Sequence, residues 1–366
     1  MATSTFNDFN FHYDNSKKSI LTNEQINYNI IDETKEERQD NQIEQQVFDV
    51  AIVGAGFSGL SAALLLGRYL RPTVIFDTGE TRNATSKHIH GYLGFENSSP
   101  QEFIQKAWRD VLQHNSVKVI KEKVTNIDKV ADNNNISLFV LNSDSGKSIA
   151  KSRYLILATG VLDSKPKIEN FDKFDGNGAW HCPHCDGFQT ANKKLAIITY
   201  GKNTIRYAKE FLGWTKDITV FLQGNYQLTD KDRNDANILG IKLIENEDIN
   251  KISTDKNGCI QKLICRGNLS YDVDVIFYYL GYEVQNQIAK QLGCELDEEE
   301  GFVKVNGSQA TTVSNVYAVG DLDTDRHYVI LAAASGALAA ISIYEEILRD
   351  AIRNTLQKTQ QGPKDG

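Results

Sequence analysis

Cysteine is scarce in this chain: there are five in 366 residues, and only Cys182 and Cys185 lie close together. An odd, dispersed set excludes a framework of structural disulfides and leaves one close pair beside ordinary thiols. Basic charge is also short, with 40 Lys and Arg against 48 Asp and Glu, a formal net charge of -8 and a pI near 5.5. Nucleic acid and anionic membrane surfaces require a net basic face, so neither is the expected partner. Met1 to Asn10 lacks the basic start and apolar run of a secretory signal, so a cytoplasmic location, with the thiols in a reducing compartment, is expected. Long apolar runs are missing except over Tyr328 to Tyr344, an Ala-rich stretch broken by Ser335, Gly336 and Ser342. That composition suits a helix packed inside a protein better than one facing lipid.

A chain of 366 residues exceeds the usual single hydrophobic core, which predicts two domains. Residues 1–46, rich in Asn, Gln, Glu, Asp and Lys without a sustained period, read as a disordered arm. From Phe48 a β-branched run, Val50 to Val53, leads through a glycine-rich turn into a helical pattern over Leu60 to Tyr69 and a second strand at Thr73 to Phe76. This is a βαβ unit with a parallel sheet. Further strands are predicted at Tyr154 to Ala158, Leu195 to Tyr200, Ile218 to Leu222, Val273 to Tyr279 and Val316 to Val319. The fold class is therefore α/β, with two Rossmann-like nucleotide-binding domains. The first is split into residues 47–164 and 285–350, the second is inserted as residues 165–284, and a frayed tail is expected over 351–366.

Gly54, Gly56 and Gly59 spell GxGxxG between a strand and a helix, the context in which the motif has meaning. The first permits a tight turn, the second lets backbone approach a pyrophosphate, and the third lets helix and strand pack closely. Asp77 ends the second strand, where a carboxylate can accept from ribose hydroxyls. Two later segments are strands running into a Gly turn: LILATG, ending in Thr159 and Gly160, and VYAVGD, ending in Gly320 and Asp321. Two-dinucleotide flavoproteins carry such segments in these places. In such proteins the Asp of the second segment, here Asp321, binds the ribityl or phosphate side of FAD, and the helix from about Tyr328 would aim its N-terminal amides at the flavin pyrimidine; the plainer reading of Asp321 is a turn or N-cap residue.

Trp180 to Gly187 holds a CxxC, a spacing that lets two thiols close into a disulfide and depresses one thiol's pKa. Zinc is the competing reading, with His181 and His184 as partners. Structural zinc usually takes a second ligand pair, and no second CxxC or closely spaced HxxxH follows.

On these residues the sequence resembles the low-molecular-weight thioredoxin reductase family over nearly all of residues 48–350, with its CxxCDG present as Cys182 to Gly187. The resemblance implies a homodimer with FAD in each subunit. It also implies Cys185 as the thiol facing the flavin, Cys182 as the one attacking the substrate disulfide, and Asp186 as the general acid. A thioredoxin-like protein or a small disulfide is the implied substrate. The segments Asp77 to Asn83 and His90 to Gly94 are similar to a branch containing dithiol oxidases and cyanobacterial thioredoxin-reductase-like flavoproteins, which puts Asn83 and His90 near the flavin. A non-catalytic alternative is a flavin redox sensor that acts through the polar N-terminal arm.

The central domain departs from the family. In place of GxGxxA it has Thr199, Tyr200, Gly201, Lys202, Asn203, Thr204, and in place of a basic HRR cluster it has Gln223, Gly224, Asn225. Thr199 and Tyr200 obstruct the backbone approach that glycine allows, and no arginine fork awaits a 2′-phosphate. NADPH is thus the doubtful cofactor unless Lys202 and Arg206 serve a diverged site. Relatives lacking these motifs resemble ferredoxin-linked reductases, some holding a second flavin on which Tyr200 could stack, or Tyr200 is a packing residue.

Overall fold

The computed structural model describes residues 46–131, 136–144 and 146–360. All but Gln46 of the expected N-terminal arm lies outside them. The chain opens with β1 (Val47–Val53), α1 (Phe57–Arg68), β2 (Thr73–Phe76), α2 (Pro100–Leu112) and β3 (Val117–Ile120). It continues through β4 (Val124–Ala131), β5 (Ser137–Ser143) and β6 (Ser148–Leu157). These strands form a sheet in the order β3-β2-β1-β6-β5-β4. The first half of β6 pairs antiparallel with β5, and its last residues pair parallel with β17 (Val316–Ala318) from the other end of the chain.

Both faces of this sheet are covered, which is why β1 is apolar at successive positions rather than at alternate ones. Ala51 and Val53 enter one core with Leu155 and Leu157. Val50 and Ile52 enter the other with Leu60, Ala63 and Ile156.

Between β6 and β17 the chain leaves through β7 (Val161–Asp163), builds a second domain, and returns through β16 (Tyr282–Val284). β7 and β16 pair antiparallel, so departure and return lie side by side. The inserted domain carries β8 (Ala179–Trp180), α3 (Pro183–Asp186), β9 (Leu195–Thr199), α4 (Thr204–Lys209) and β10 (Ile218–Leu222). There follow α5 (Asp230–Ile238), β11 (Lys242–Glu245), and the antiparallel strands β12 (Ile249–Thr254), β13 (Ile260–Cys265) and β14 (Ser270–Asp272). With β15 (Val275–Tyr279) the domain forms a parallel sheet in the order β11-β10-β9-β15-β8. This is the α/β pairing of two Rossmann-like sheets that the motifs predict.

After α6 (Gln287–Leu292) and β17, the chain ends in α7 (Val329–Gln360). By length and composition it is the one helix among the described residues apolar enough to cross a membrane. Its first half packs on α1 so closely that a Cβ at Gly336 would sit 2.0 Å from the Ser58 carbonyl oxygen. Residues 351–360 of the tail expected to fray are helical, since α7 continues to Gln360, and residues 361–366 lie outside the described residues. No Gly or Pro interrupts residues 351–360, and the first helix-stopping residues are Gly362 and Pro363.

Candidate active site

The three glycines of the first turn differ in what surrounds them. A Cβ on Gly54, whose φ is +103°, would meet the Ala158 carbonyl oxygen at 2.3 Å, and one on Gly59 would meet the Gly54 oxygen at 2.0 Å. Both are fixed by strand and helix approaching each other. A Cβ on Gly56 would meet nothing within 4 Å, so its backbone faces the open space where a pyrophosphate can lie. Asp77 Oδ1 accepts from the Ala55 amide at 3.4 Å. Burial raises its carboxyl above the ordinary range, with the amides of Ala55, Gly79 and Thr78 opposing.

Thr159 and Gly160 stand where the chain leaves the first domain. The Thr159 hydroxyl donates to the Gln285 carbonyl at 2.6 Å, and the Gln285 amide donates to Gly160 O at 2.9 Å. Together they tie β7 to the returning strand.

Asp321, next to Gly320, accepts from Arg82 Nη1 at 2.8 Å. Arg82 also grips Asp163 as a fork, Nε to Oδ2 and Nη2 to Oδ1, each at 2.7 Å. Burial alone would lower the guanidinium and raise Asp163, but the pairing overrides both: Arg82 is held more firmly protonated and Asp163 below its usual range. His181 Nε2 lies 3.7 Å from Asp163, and Tyr278, whose hydroxyl donates to Asp175 at 2.9 Å, stands 3.4 Å from His181 Nδ1. This polar cluster joins the two domains directly beside Cys182. Sequence reading missed Arg82 as a site residue, because its partners are 81 and 239 positions away.

Cys182 and Cys185 are bonded at 2.06 Å. Cys182 Sγ accepts from the Cys185 amide at 3.1 Å, a contact that stabilises its thiolate on reduction. Gly187 follows Asp186 because the Trp214 ring packs on it, leaving 2.6 Å to a Cβ. Burial pushes the Asp186 carboxyl up to about 6, with His90 and His88 pulling it down. His90 Nε2 lies 3.8 Å from Asp186 Oδ1, and its Nδ1 meets Glu96 Oε1 at 2.6 Å. Asn83, His90, both cysteines, Asp186 and His327 line one cavity of about 290 Å³ between the domains. His184 turns to Glu210, at 3.4 Å. Among the described residues no cluster of His, Cys, Asp or Glu is arranged to hold a metal.

These residues fit a flavin dinucleotide. Gly56 offers an open backbone, Asp77 directly follows β2, Asp321 lies three residues past β17 with one oxygen held by Arg82, and the buried His327 Nε2 has no partner within the protein. Such an orphaned atom beside the cavity is suited to a polar ligand.

The second glycine turn is different. The Thr199 and Thr204 hydroxyls are 2.7 Å apart, and Thr204 Oγ1 donates to Gly201 O. The Tyr200 ring, 48% exposed, lies over Gly224, 3.1 Å from where its Cβ would be. Gln223 is committed to the backbone, donating to Glu247 O at 2.8 Å and accepting from the Ile249 amide at 3.0 Å.

Two nucleotide-type domains with a redox disulfide at their junction define a flavin-dependent disulfide oxidoreductase of thioredoxin reductase-like architecture. The chain belongs to the pyridine nucleotide-disulphide oxidoreductase family, whose signature it matches over residues 48–339. Family membership implies FAD in the first domain. The chain is 27% identical to thioredoxin reductase sirT of Leptosphaeria maculans over 314 residues, covering 81% of this chain and 93% of that one. It is also 27% identical to the thioredoxin reductase of Helicobacter pylori, covering 81% and 98%. The solved structure of TrxB from Bacillus anthracis superposes with a TM-score of 0.73 at 27% identity, over 82% of this chain and 99% of that one.

Proposed function

We propose that the protein passes electrons between FAD and the Cys182–Cys185 pair and exchanges them with a thioredoxin-like protein or a small disulfide. In this reading its donor is not NADPH but a ferredoxin or a second flavin bound by the central domain. FAD supplies the two-electron chemistry. The chain supplies the disulfide, the Asp186 carboxyl, and the Arg82–Asp163–Asp321 cluster that carries charge across the domain junction.

The observation that carries the reading is the Tyr200 ring lying over Gly224, beside the stretch where a 2′-phosphate would need arginines. A Cβ on Gly201 would meet nothing within 4 Å, as at Gly56, so the two turns differ in their side chains, Thr199, Tyr200 and Thr204, and not in backbone crowding. Gln223 is the residue at the start of the stretch where a 2′-phosphate would need arginines, and its amide is already satisfied internally. The exposed Tyr200 ring is available to stack on a planar ligand.

A second copy of the chain is the proposed cover for the outer face of α7, where Leu338, Leu348, Ile352 and Leu356 are between 45% and 57% exposed. The reducing cytoplasm is the proposed location, where the disulfide can cycle. Mixing the flavin-loaded protein anaerobically with excess NADPH tests the donor assignment. The flavin band stays unbleached on this reading, and rapid bleaching overturns it.

A further inference from the structure

We propose that His90, oriented by Glu96, is the proton carrier between solvent and Asp186 during disulfide exchange, so that the working unit is Glu96–His90–Asp186 beside the cysteine pair. The inference rests on the disulfide oxidoreductase reading and adds to it a named route for the protons.

The geometry of a short loop carries the argument. Glu96 accepts twice from its own loop: Oε1 from His90 Nδ1 at 2.6 Å and Oε2 from the Gly91 amide at 2.8 Å. A carboxylate on Nδ1 requires the proton there, which leaves the Nε2 lone pair of the neutral ring free. Nε2 is the atom that faces Asp186, at 3.8 Å, a gap that one water or a small rotation of the carboxyl closes.

The loop is rigid enough to hold this arrangement. Ile89 and Ser98 bridge its ends, with Ile89 N to Ser98 O at 2.8 Å and Asn97 N to Ile89 O at 2.9 Å. Phe95 packs on Phe103 with ring centres 4.8 Å apart, and Tyr92 packs on Phe95 at 5.4 Å. The Glu96 side chain is 55% exposed whereas that of His90 is 11% exposed, so the relay runs from water inward.

The groups facing His90 are Glu96, Asp186 and His88, whose ring centre is 6.1 Å away. Asp186 in turn feels His90 and His88. With its carboxyl pushed up to about 6 by burial, Asp186 is mostly ionised at neutral pH and needs re-protonation in each turnover.

The step balances as follows. The reduced pair starts with thiols at Cys182 and Cys185. The Cys182 thiol releases its proton to solvent, and its sulfur attacks a substrate disulfide R–S–S–R′. The Cys182–S–R bond forms, the S–S bond of the substrate breaks, and R′S⁻ takes the proton held on Asp186. Nε2 of His90 takes up a proton from a water molecule, giving an imidazolium whose Nδ1–H is held by the Glu96 carboxylate, and passes that proton to Asp186. Cys185 then releases its proton to solvent and attacks Cys182 Sγ, expelling RS⁻, which is protonated by the same route from Asp186 and His90. The substrate gains two electrons and two protons, and the cysteine pair loses the same number. In the opposite direction every transfer reverses.

The test uses the flavin-loaded full chain. In protein with ¹⁵N-labelled histidine, the His90 signal, identified by its loss in His90→Asn, shows the Nδ1–H tautomer. In Glu96→Gln that tautomer preference weakens. In stopped flow of the anaerobically pre-reduced protein with a small disulfide, wild type keeps a nearly level rate from about pH 6 to 8, whereas His90→Asn loses about 10²-fold at pH 8 and little near pH 5.5, where Asp186 takes its proton directly. Added imidazole restores the pH 8 rate in proportion to its concentration, which a purely structural role for His90 cannot explain. An Nε2–H tautomer in the resting protein overturns the proposal, as does a His90→Asn enzyme with the wild-type pH profile or with no response to imidazole. Should His90→Asn not fold, Glu96→Gln must still lower the pH 8 rate selectively, and an unchanged profile there overturns the proposal. A wild type that exchanges with no disulfide at all, yet shows the Nδ1–H tautomer, contradicts the oxidoreductase reading instead.

Discussion

Replacing Arg82 with Met strips the domain junction of its central cation. The Arg82, Asp163 and Asp321 side chains retain only 15%, 12% and 19% exposure, so the two carboxylates cannot recover their lost partner from bulk water. Breaking a buried pair by removing one member costs about 3–5 kcal/mol, which is a large share of a typical folding stability. The penalty must also depend on pH. In the native protein Asp163 is held below its ordinary range, so it contributes stability above about pH 4 that is lost as pH falls through its folded value. Without Arg82, burial acts unopposed by the guanidinium and raises the carboxyl. The variant then carries a buried charge at neutral pH, a penalty that shrinks as falling pH protonates it. Urea unfolding of both proteins at pH 7 and pH 5 measures this. The stability gap is predicted to be several kcal/mol at pH 7 and distinctly smaller at pH 5, with Arg82→Lys intermediate because it keeps the charge but loses the fork. A gap under about 1 kcal/mol, the size of an exposed pair, or one equal at the two pH values, refutes the reasoning.

Other outcomes follow from the same geometry. Asp186→Asn slows disulfide exchange by about 10²–10⁴-fold across about pH 6 to 8, as stopped flow would measure, because no carboxyl remains to protonate the leaving thiolate. Gly59→Ala places a Cβ 2.0 Å from the Gly54 oxygen and costs stability even without cofactor, whereas Gly56→Ala has free space and weakens only FAD uptake; calorimetry with and without FAD separates the two. Leu348→Glu combined with Ile352→Glu puts charges on the exposed face of α7 and shifts the species seen by analytical ultracentrifugation from dimer to monomer.

Much of the fold is legible in the sequence because its strands are buried on both faces and its turns are marked by glycine. The runs at Val50 to Val53, Ile218 to Leu222 and Val316 to Val319 each give a strand, and the first two are parallel core strands flanked by covered surfaces. The antiparallel strands β4, β5 and β12 to β14 were not legible. Polar residues such as Lys129, Asp128 and Lys251 dilute their apolar pattern, and their pairing depends on partners rather than on local runs.

The site divides in the same way. Gly54, Asp77, the cysteine pair and Asp321 sit in local motifs with their context attached. Arg82, Asp163 and Glu96 carry no motif, because their roles come from neighbours supplied by the chain's crossing at β7 and by the folding of the His90 loop. Tyr200 stands out in the sequence where the family has glycine, but its lie over Gly224 depends on the loop after β10 and is not readable from the local run.

The central claim is electron exchange between bound FAD and the Cys182–Cys185 bridge. Anaerobic titration of the flavin-loaded protein with a small dithiol, monitored by flavin absorbance beside a Cys182→Ser, Cys185→Ser double variant, tests it most directly. The account predicts flavin reduction in the wild type and none at comparable rate in the double variant. A protein that takes up no flavin, or a double variant that is reduced as readily as the wild type, contradicts it.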